Sequence, residues 1–145
     1  MVIAIFGESC TGKSTLAARL APLLNAEVWS GRDYLRLAKS ESVAKALFQK
    51  KLENADTPIL YVTTEKESLA LLPQNALRVL VTAELEVIQA RFAARMHGTL
   101  PPPVAQMLEK KHGCFDNERH DLHFVSERDD LAAFCDAVLR KVNRA

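Results

Sequence analysis

Val2-Ile3-Ala4-Ile5-Phe6-Gly7-Glu8-Ser9-Cys10-Thr11-Gly12-Lys13-Ser14-Thr15-Leu16 is the stretch on which the fold turns. Its first five residues form an unbroken apolar run, the pattern of a parallel strand buried on both faces. Gly7 to Ser14 fits G-x-x-x-x-G-K-[ST] at every position. Beyond the loop, Leu16, Leu20, Leu23 and Leu24 recur at helical spacing, with Ala17, Ala18 and Ala21 between them, which predicts a helix ending near Asn25. A buried strand, a glycine-rich turn and an amphipathic helix, in that order, are the context that separates this motif from a chance match.

Each residue type in the loop has a physical reason. Glycines let the backbone turn tightly and come close to an anion without a side chain between. Successive backbone N–H groups form an anion nest, and the helix that starts near Lys13 adds the positive end of its dipole. The Lys13 ammonium suits the β- and γ-phosphates of a nucleoside triphosphate, and the Ser14 hydroxyl suits Mg²⁺. The expectation is a site for ATP or GTP with Mg²⁺. It is contacted by Gly7, Glu8, Ser9, Cys10, Thr11, Gly12, Lys13, Ser14 and Thr15, with Ser14 as metal ligand. Cys10 has two readings: a thiol made oxidisable by the surrounding donors, or a small residue that fills the loop.

Outward from the loop, strands and helices alternate. Glu27-Val28-Trp29 is a weak second strand, 59–62 a third, 77–81 a fourth and 122–125 a fifth. Residues 33–54 read as helical with a break near Ser40 and Ser42. A short helix covers 66–71, another runs from Leu85 to Met96, and a third lies near 104–112. Gly98 and Pro101-Pro102-Pro103 interrupt the chain between the last two, making 97–103 the expected flexible insert. Ser126 is the expected cap of a final helix whose apolar stripe is Leu131, Phe134, Cys135, Val138, Leu139 and Val142. Alternation of this kind implies one parallel sheet covered by helices on both faces.

The 145 residues suit a single domain, 48% of them are hydrophobic, and the formal charge is +1. That balance gives no reason to expect a nucleic acid polymer or an acidic lipid surface as partner. The apolar runs are too short for a membrane helix, and the N-terminal residues lack a basic leader and cleavage site. Three scattered cysteines, Cys10, Cys114 and Cys135, point to a reducing cytoplasm. His112-x-Cys114 and His120-x-x-His123 lack the paired spacing of a zinc site.

With the loop and the alternation in view, the chain resembles the small P-loop kinases of the nucleoside-monophosphate kinase group, most closely the cytidylate-kinase-like branch. The resemblance implies a three-layer fold with a five-stranded parallel sheet of order 2-3-1-4-5, a short lid, and a monomer or weak homodimer. Trp29-Ser30-Gly31-Arg32-Asp33-Tyr34-Leu35-Arg36 looks like the group's acceptor segment. The helical stretch 30–57 would then bind the acceptor, and 96–113 would be a reduced lid. The group's acceptor arginine falls one residue before Arg36, so either Arg32 or Arg36 takes its place, and Gly31 and Tyr34 complete the set. The third strand runs into Thr63-Thr64-Glu65-Lys66, where the group commonly has an Asp-Gly or Gly-x-Pro-Arg element.

Phosphoryl transfer needs positioning and positive charge around the transferred group. Lys13 and Mg²⁺ supply part. Arg91 or Arg95, four residues apart on one helix face, supplies more. Asp33 is the candidate acid, receiving a proton from the acceptor or holding a Mg²⁺ water, and it also suits a cap for a helix starting at Tyr34. Glu65 is its competitor. Arg32 and Arg36 suit an anionic acceptor through their guanidinium forks, and Tyr34 suits either a base or the core. The leading expectation is ATP- and Mg²⁺-dependent transfer to a nucleoside monophosphate. The alternatives are a kinase of a non-nucleotide metabolite and an ATP-binding module without efficient transfer.

Overall fold

The computed structural model describes residues 1–144. Strand β1 (Val2–Phe6) is buried at all five positions, as its unbroken apolar run requires. It lies between β3 (Ile59–Thr63) and β4 (Leu77–Thr82), with β2 (Glu27–Ser30) and β5 (Leu122–Val125) outside them, giving the order β2-β3-β1-β4-β5. All four pairings are parallel; Phe6 pairs with Thr63 and Leu80, Ser30 with Val62, and Val125 with Thr82. The expected sheet and strand order are therefore present. Edge strand β2 buries only Trp29, which explains its weak apolar signal.

Side-chain alternation along β1 divides the core in two. Ile3 and Ile5 face Leu16 and Leu20 of α1 (Lys13–Leu24) and Cys135 and Val138 of α5 (Leu131–Asn143). Ala4 and Phe6 face the other side, where Phe48 of α2 (Glu41–Glu53) meets Trp29, Tyr34 and Tyr61 at ring-centroid distances of 5.2, 5.6 and 5.0 Å. Helices α3 (Leu85–Arg95) and α4 (Pro102–Lys111) pack on each other, and a small cluster of Cys10, Ala83, Ile88 and Leu108 joins them to the loop that follows β1 and to the residue that follows β4.

Local boundaries differ from the sequence reading in instructive ways. β2, β3 and β4 each extend one residue beyond the apolar run, to Ser30, Thr63 and Thr82. These polar residues finish each strand at the carboxyl edge of the sheet, where open α/β folds place their ligands. The predicted helix 33–54 is a 3-10 turn, Asp33–Leu37, and then α2, with Ala38 extended between them. Pro102 and Pro103 do not belong to a flexible insert: they open α4 at its first positions, where a missing N–H costs no hydrogen bond. Ser126 does not cap α5. Its N–H continues the ladder by donating to Thr82 O (3.1 Å), and Asp130 is the cap, accepting from Ala133 N at 2.8 Å.

Candidate active site

Gly7 to Gly12 connect the end of β1 to the start of α1. Gly7 sits so close to β4 that a Cβ there would lie 2.1 Å from Val81 O, so only glycine fits. Gly12 has φ +104°, a backbone conformation strained for any other residue. Thr11 is fully buried and donates to Glu8 O at 2.8 Å, which cross-braces the loop from behind. The Glu8 side chain points away from the loop's mouth. Its two oxygens accept from Gly113 N (3.1 Å) and pair with His112 Nδ1 (3.1 Å), fastening the loop to the end of α4.

In front of the loop lies a cavity of about 240 Å³, lined by Ser9, Cys10, Gly12, Lys13, Ser14 and Thr15 and by Arg95. Its far wall is the strand tips, Ser30 and Gly31 after β2 and Val62, Thr63 and Thr64 at the end of β3. Backbone amides, a helix N-terminus and two cations converge on a space with no facing carboxylate, the chemistry of a polyphosphate site. The residues present fit ATP, with the Ser14 hydroxyl available to Mg²⁺. Sequence reasoning missed Ser30, Thr63 and Thr64. Their signal was position: each closes an apolar run at the carboxyl edge of the sheet.

Lys13 is only 6% exposed, and its ammonium donates to the Glu8 carbonyl. Burial, with the charge of Arg95 adding to it, pulls its pKa from 10.5 down to about 8. Triphosphate bound in the loop would reverse that shift: its negative charge would raise the Lys13 pKa, and binding would take up a proton once the free protein has begun to lose it. The full interaction is present below pH 8 and is lost as pH rises toward the bound-state pKa. We therefore expect Mg·ATP affinity to be flat from pH 7 to 8 and then to fall by up to about tenfold per pH unit. Titration calorimetry at pH 7 to 9.5 checks this, and affinity independent of pH would contradict it.

The two helix arginines part company. Arg91 Nη1 donates to Cys10 O (3.1 Å) and Ser126 Oγ (2.9 Å), bracing the loop against β5. Arg95 lines both the phosphate cavity and a second one of about 390 Å³, formed by Cys10, Gly12, Thr15, Phe124, Ser126 and Asp129, with Arg91 between. The Cys10 thiol belongs to the apolar cluster with Ala83, Ile88 and Leu108 and is 5% exposed. Of the two readings of Cys10, this packing agrees with the small residue that fills the loop.

On the acceptor side, the expected residues fall differently from the reading. Tyr34 is 3% exposed and stacked on Phe48, so its ring is core and not a platform for a base. Arg36 lies over the Trp29 ring at 5.2 Å and donates to Asp33 O. Arg32 is paired with Glu41 at 2.9 Å. Asp33 does not cap a helix beginning at Tyr34: its Oδ2 accepts from the preceding Ser30 N at 2.9 Å. Glu65 lines a third cavity, of about 380 Å³, beside the phosphate cavity.

A phosphate loop between the central strand and α1, in a parallel sheet of order 2-3-1-4-5, defines the P-loop kinase fold. No sequence-family model and no curated protein matches the chain. Solved structures do. An uncharacterized protein from Eubacterium ventriosum ATCC 27560 superposes with a TM-score of 0.74 at 16% identity, over 100% of this chain and 99% of that one. Shikimate kinase from Acinetobacter baumannii, in complex with shikimate, gives 0.69 at 15% identity over 99% and 93%. A gluconokinase from Sinorhizobium meliloti 1021 gives 0.64 at 16% identity over 99% and 91%. At these identities the likeness establishes the fold, and the chemistry is argued from this chain's own residues.

Proposed function

We propose that this protein is a small-molecule kinase that transfers the γ-phosphoryl group of ATP to a hydroxyl of a non-nucleotide metabolite. One observation carries the reading: a buried lysine in the phosphate loop opens onto a cavity bounded by Ser30, Gly31, Thr63 and Thr64, and the residues that follow them in the chain, Arg32 and Tyr34 after β2 and Glu65 and Glu67 after β3, line a second cavity. Donor and acceptor thus have adjoining sites. The acceptor oxygen bonds to the γ-phosphorus, the bond from that phosphorus to the β–γ bridging oxygen breaks, and ADP leaves. The hydroxyl proton passes to the Asp33 carboxylate, held at the tip of β2 by Ser30 N. Lys13 and Arg95 balance the charge that gathers on the transferred group. Mg²⁺, held at the Ser14 hydroxyl, would neutralise further phosphate charge.

The cytidylate-kinase-like resemblance suggests a nucleoside monophosphate as acceptor. Against it stands the pairing of Arg32 with Glu41 and of Arg36 with Trp29, which leaves neither guanidinium presented to a second phosphate. The names of the shikimate kinase and the gluconokinase, both of this fold, agree with a non-nucleotide acceptor. Acceptor-dependent ADP release from Mg·ATP is the test, run on the wild type and on Asp33→Asn. Transfer with kcat lowered about 10²-fold or more in Asp33→Asn is expected. Unchanged turnover in that variant would move the proton to Glu65, and tight ATP binding with no acceptor-dependent ADP release would leave a nucleotide-binding module.

A further inference from the structure

The cavity beside the phosphate site is walled by the same two loops. After β2, Ser30 and Gly31 line the phosphate cavity and Arg32 and Tyr34 line its neighbour; after β3, Val62, Thr63 and Thr64 line the first and Glu65, Glu67 and Ser68 the second. Ser68, 4% exposed, lines the second cavity together with Tyr34 and Leu71, which supply apolar wall. A pocket of about 380 Å³ with this mixture suits a small polar body one hydroxyl of which faces the donor.

Its charge is the informative property. Two cations line it, Arg32 and Lys45, and both are bound to one carboxylate, Glu41, at 2.9 and 3.3 Å. Lys66, on the same loop as Glu65, is drawn away to Glu118 at 3.3 Å. Glu65 and Glu67 also line the cavity, and neither is in an ion pair among the described residues. The cavity therefore carries three carboxylates against two cations, an excess of one negative charge; the two cations share Glu41, and Glu65 and Glu67 have no cation of their own among the described residues. A phosphate or carboxylate entering here would have to displace Glu41 and would still lie beside Glu65 and Glu67. A protonated amine would meet the two unpaired carboxylates directly and form charge-assisted hydrogen bonds.

Resting on the phosphoryl-transfer reading above, we infer that the acceptor is a hydroxylated amine, an amino sugar or amino alcohol in its ammonium form, whose cation is held by Glu65 and Glu67 while a hydroxyl reaches the γ-phosphate. Glu65 and Glu67 are then specificity residues for acceptor charge, and Asp33 keeps the proton transfer.

The test is a matched series in the ADP-release assay with Mg·ATP. The cationic, neutral and anionic members are 2-amino-2-deoxyglucose, glucose and gluconate, with ethanolamine and ethylene glycol as a smaller pair and CMP as the nucleotide control. The expected result is kcat/KM at least about tenfold higher for each amine than for its neutral partner, and no stimulation by gluconate or CMP. In Glu65→Gln/Glu67→Gln that advantage shrinks to less than about threefold while KM for ATP stays put, a split that a merely structural role would not give. Better use of gluconate than of the amines, or an amine preference untouched by the double variant, would overturn the inference and leave the kinase reading standing; better use of CMP would overturn the non-nucleotide acceptor as well and leave only phosphoryl transfer. ATP binding without ADP release for any acceptor would overturn both.

Discussion

Replacing Lys13 with methionine is expected to lower kcat/KM for the proposed ATP-dependent transfer by about 10²–10³-fold or more, the loss typical of removing one preorganised donor to developing charge. The residue is buried, and burial already holds its pKa near 8, so the ammonium resides in the loop at a cost that phosphate binding offsets. Methionine keeps the stem and discards that cost. The variant should therefore melt at or above the wild-type temperature while losing nucleotide affinity, since a buried charge replaced by an apolar group of similar size is often neutral or stabilising. Thermal melts with and without Mg·ATP separate the two effects. The wild type gains stability on ligand addition, and Lys13→Met does not. A variant that lost folding and binding together would mean that Lys13 supports the loop instead of the ligand.

Phe48→Ala is expected to have the largest effect on stability. Phe48 is fully buried and is the only α2 residue in ring contact with Trp29, Tyr34 and Tyr61. Truncation leaves a cavity that three rigid rings cannot collapse into, at a cost of about 3–5 kcal/mol. For a chain of this length that corresponds to a fall in Tm of about 10–20 °C. The loss has a functional direction. Tyr34 and Glu41 line the cavity proposed for the acceptor, and Phe48 packs their segment onto the sheet, whereas α1 rests on the opposite core. KM for the acceptor should rise more than Kd for ATP. Equal changes in both would show that the two cores do not support the two half-sites separately.

The central architecture was legible because its signals are local. β1 and β3 carry continuous apolar runs, β4 is apolar apart from Arg78 and its terminal Thr82, and the phosphate loop is a contiguous motif between a strand and a helix. The bounds of β1 hold, whereas β2, β3 and β4 each end one residue later than their apolar pattern. Ser30 and Thr63 are polar because they finish strands facing the candidate site, where an apolar pattern has no cause to continue. Ser126 and Asp130 have equal capping chemistry. What decides between them is the ladder that holds Ser126 to Thr82 and the bond from Val125 N to Asp129, neither of which leaves a trace in the local sequence.

The candidate site was legible only on the donor side. Gly7 to Thr15 are neighbours in the chain, so their geometry follows from it. The acceptor side is built by pairs whose partners are distant or lie round a turn. Arg32 looked free because Glu41 lies nine residues on, across the break between the 3-10 turn and α2. Tyr34 looked available to a base because its stacking partner, Phe48, is on the next helix. Glu8 and His112 meet across more than a hundred residues. Guanidiniums and rings in a short exposed segment read the same whether they wait for a ligand or are already occupied; only the fold tells the two apart.

The claim on which everything else rests is that the loop at Gly7 to Ser14 holds the β- and γ-phosphates of a triphosphate. Titration calorimetry of Mg·ATP, Mg·ADP and AMP into the wild-type protein tests it without knowledge of the acceptor. ATP and ADP should bind with Kd in the micromolar range, and AMP, which cannot place a phosphate against Lys13 and the loop amides, at least about 10²-fold more weakly. Equal affinity for AMP and ATP, or no binding of any of the three, would contradict the account.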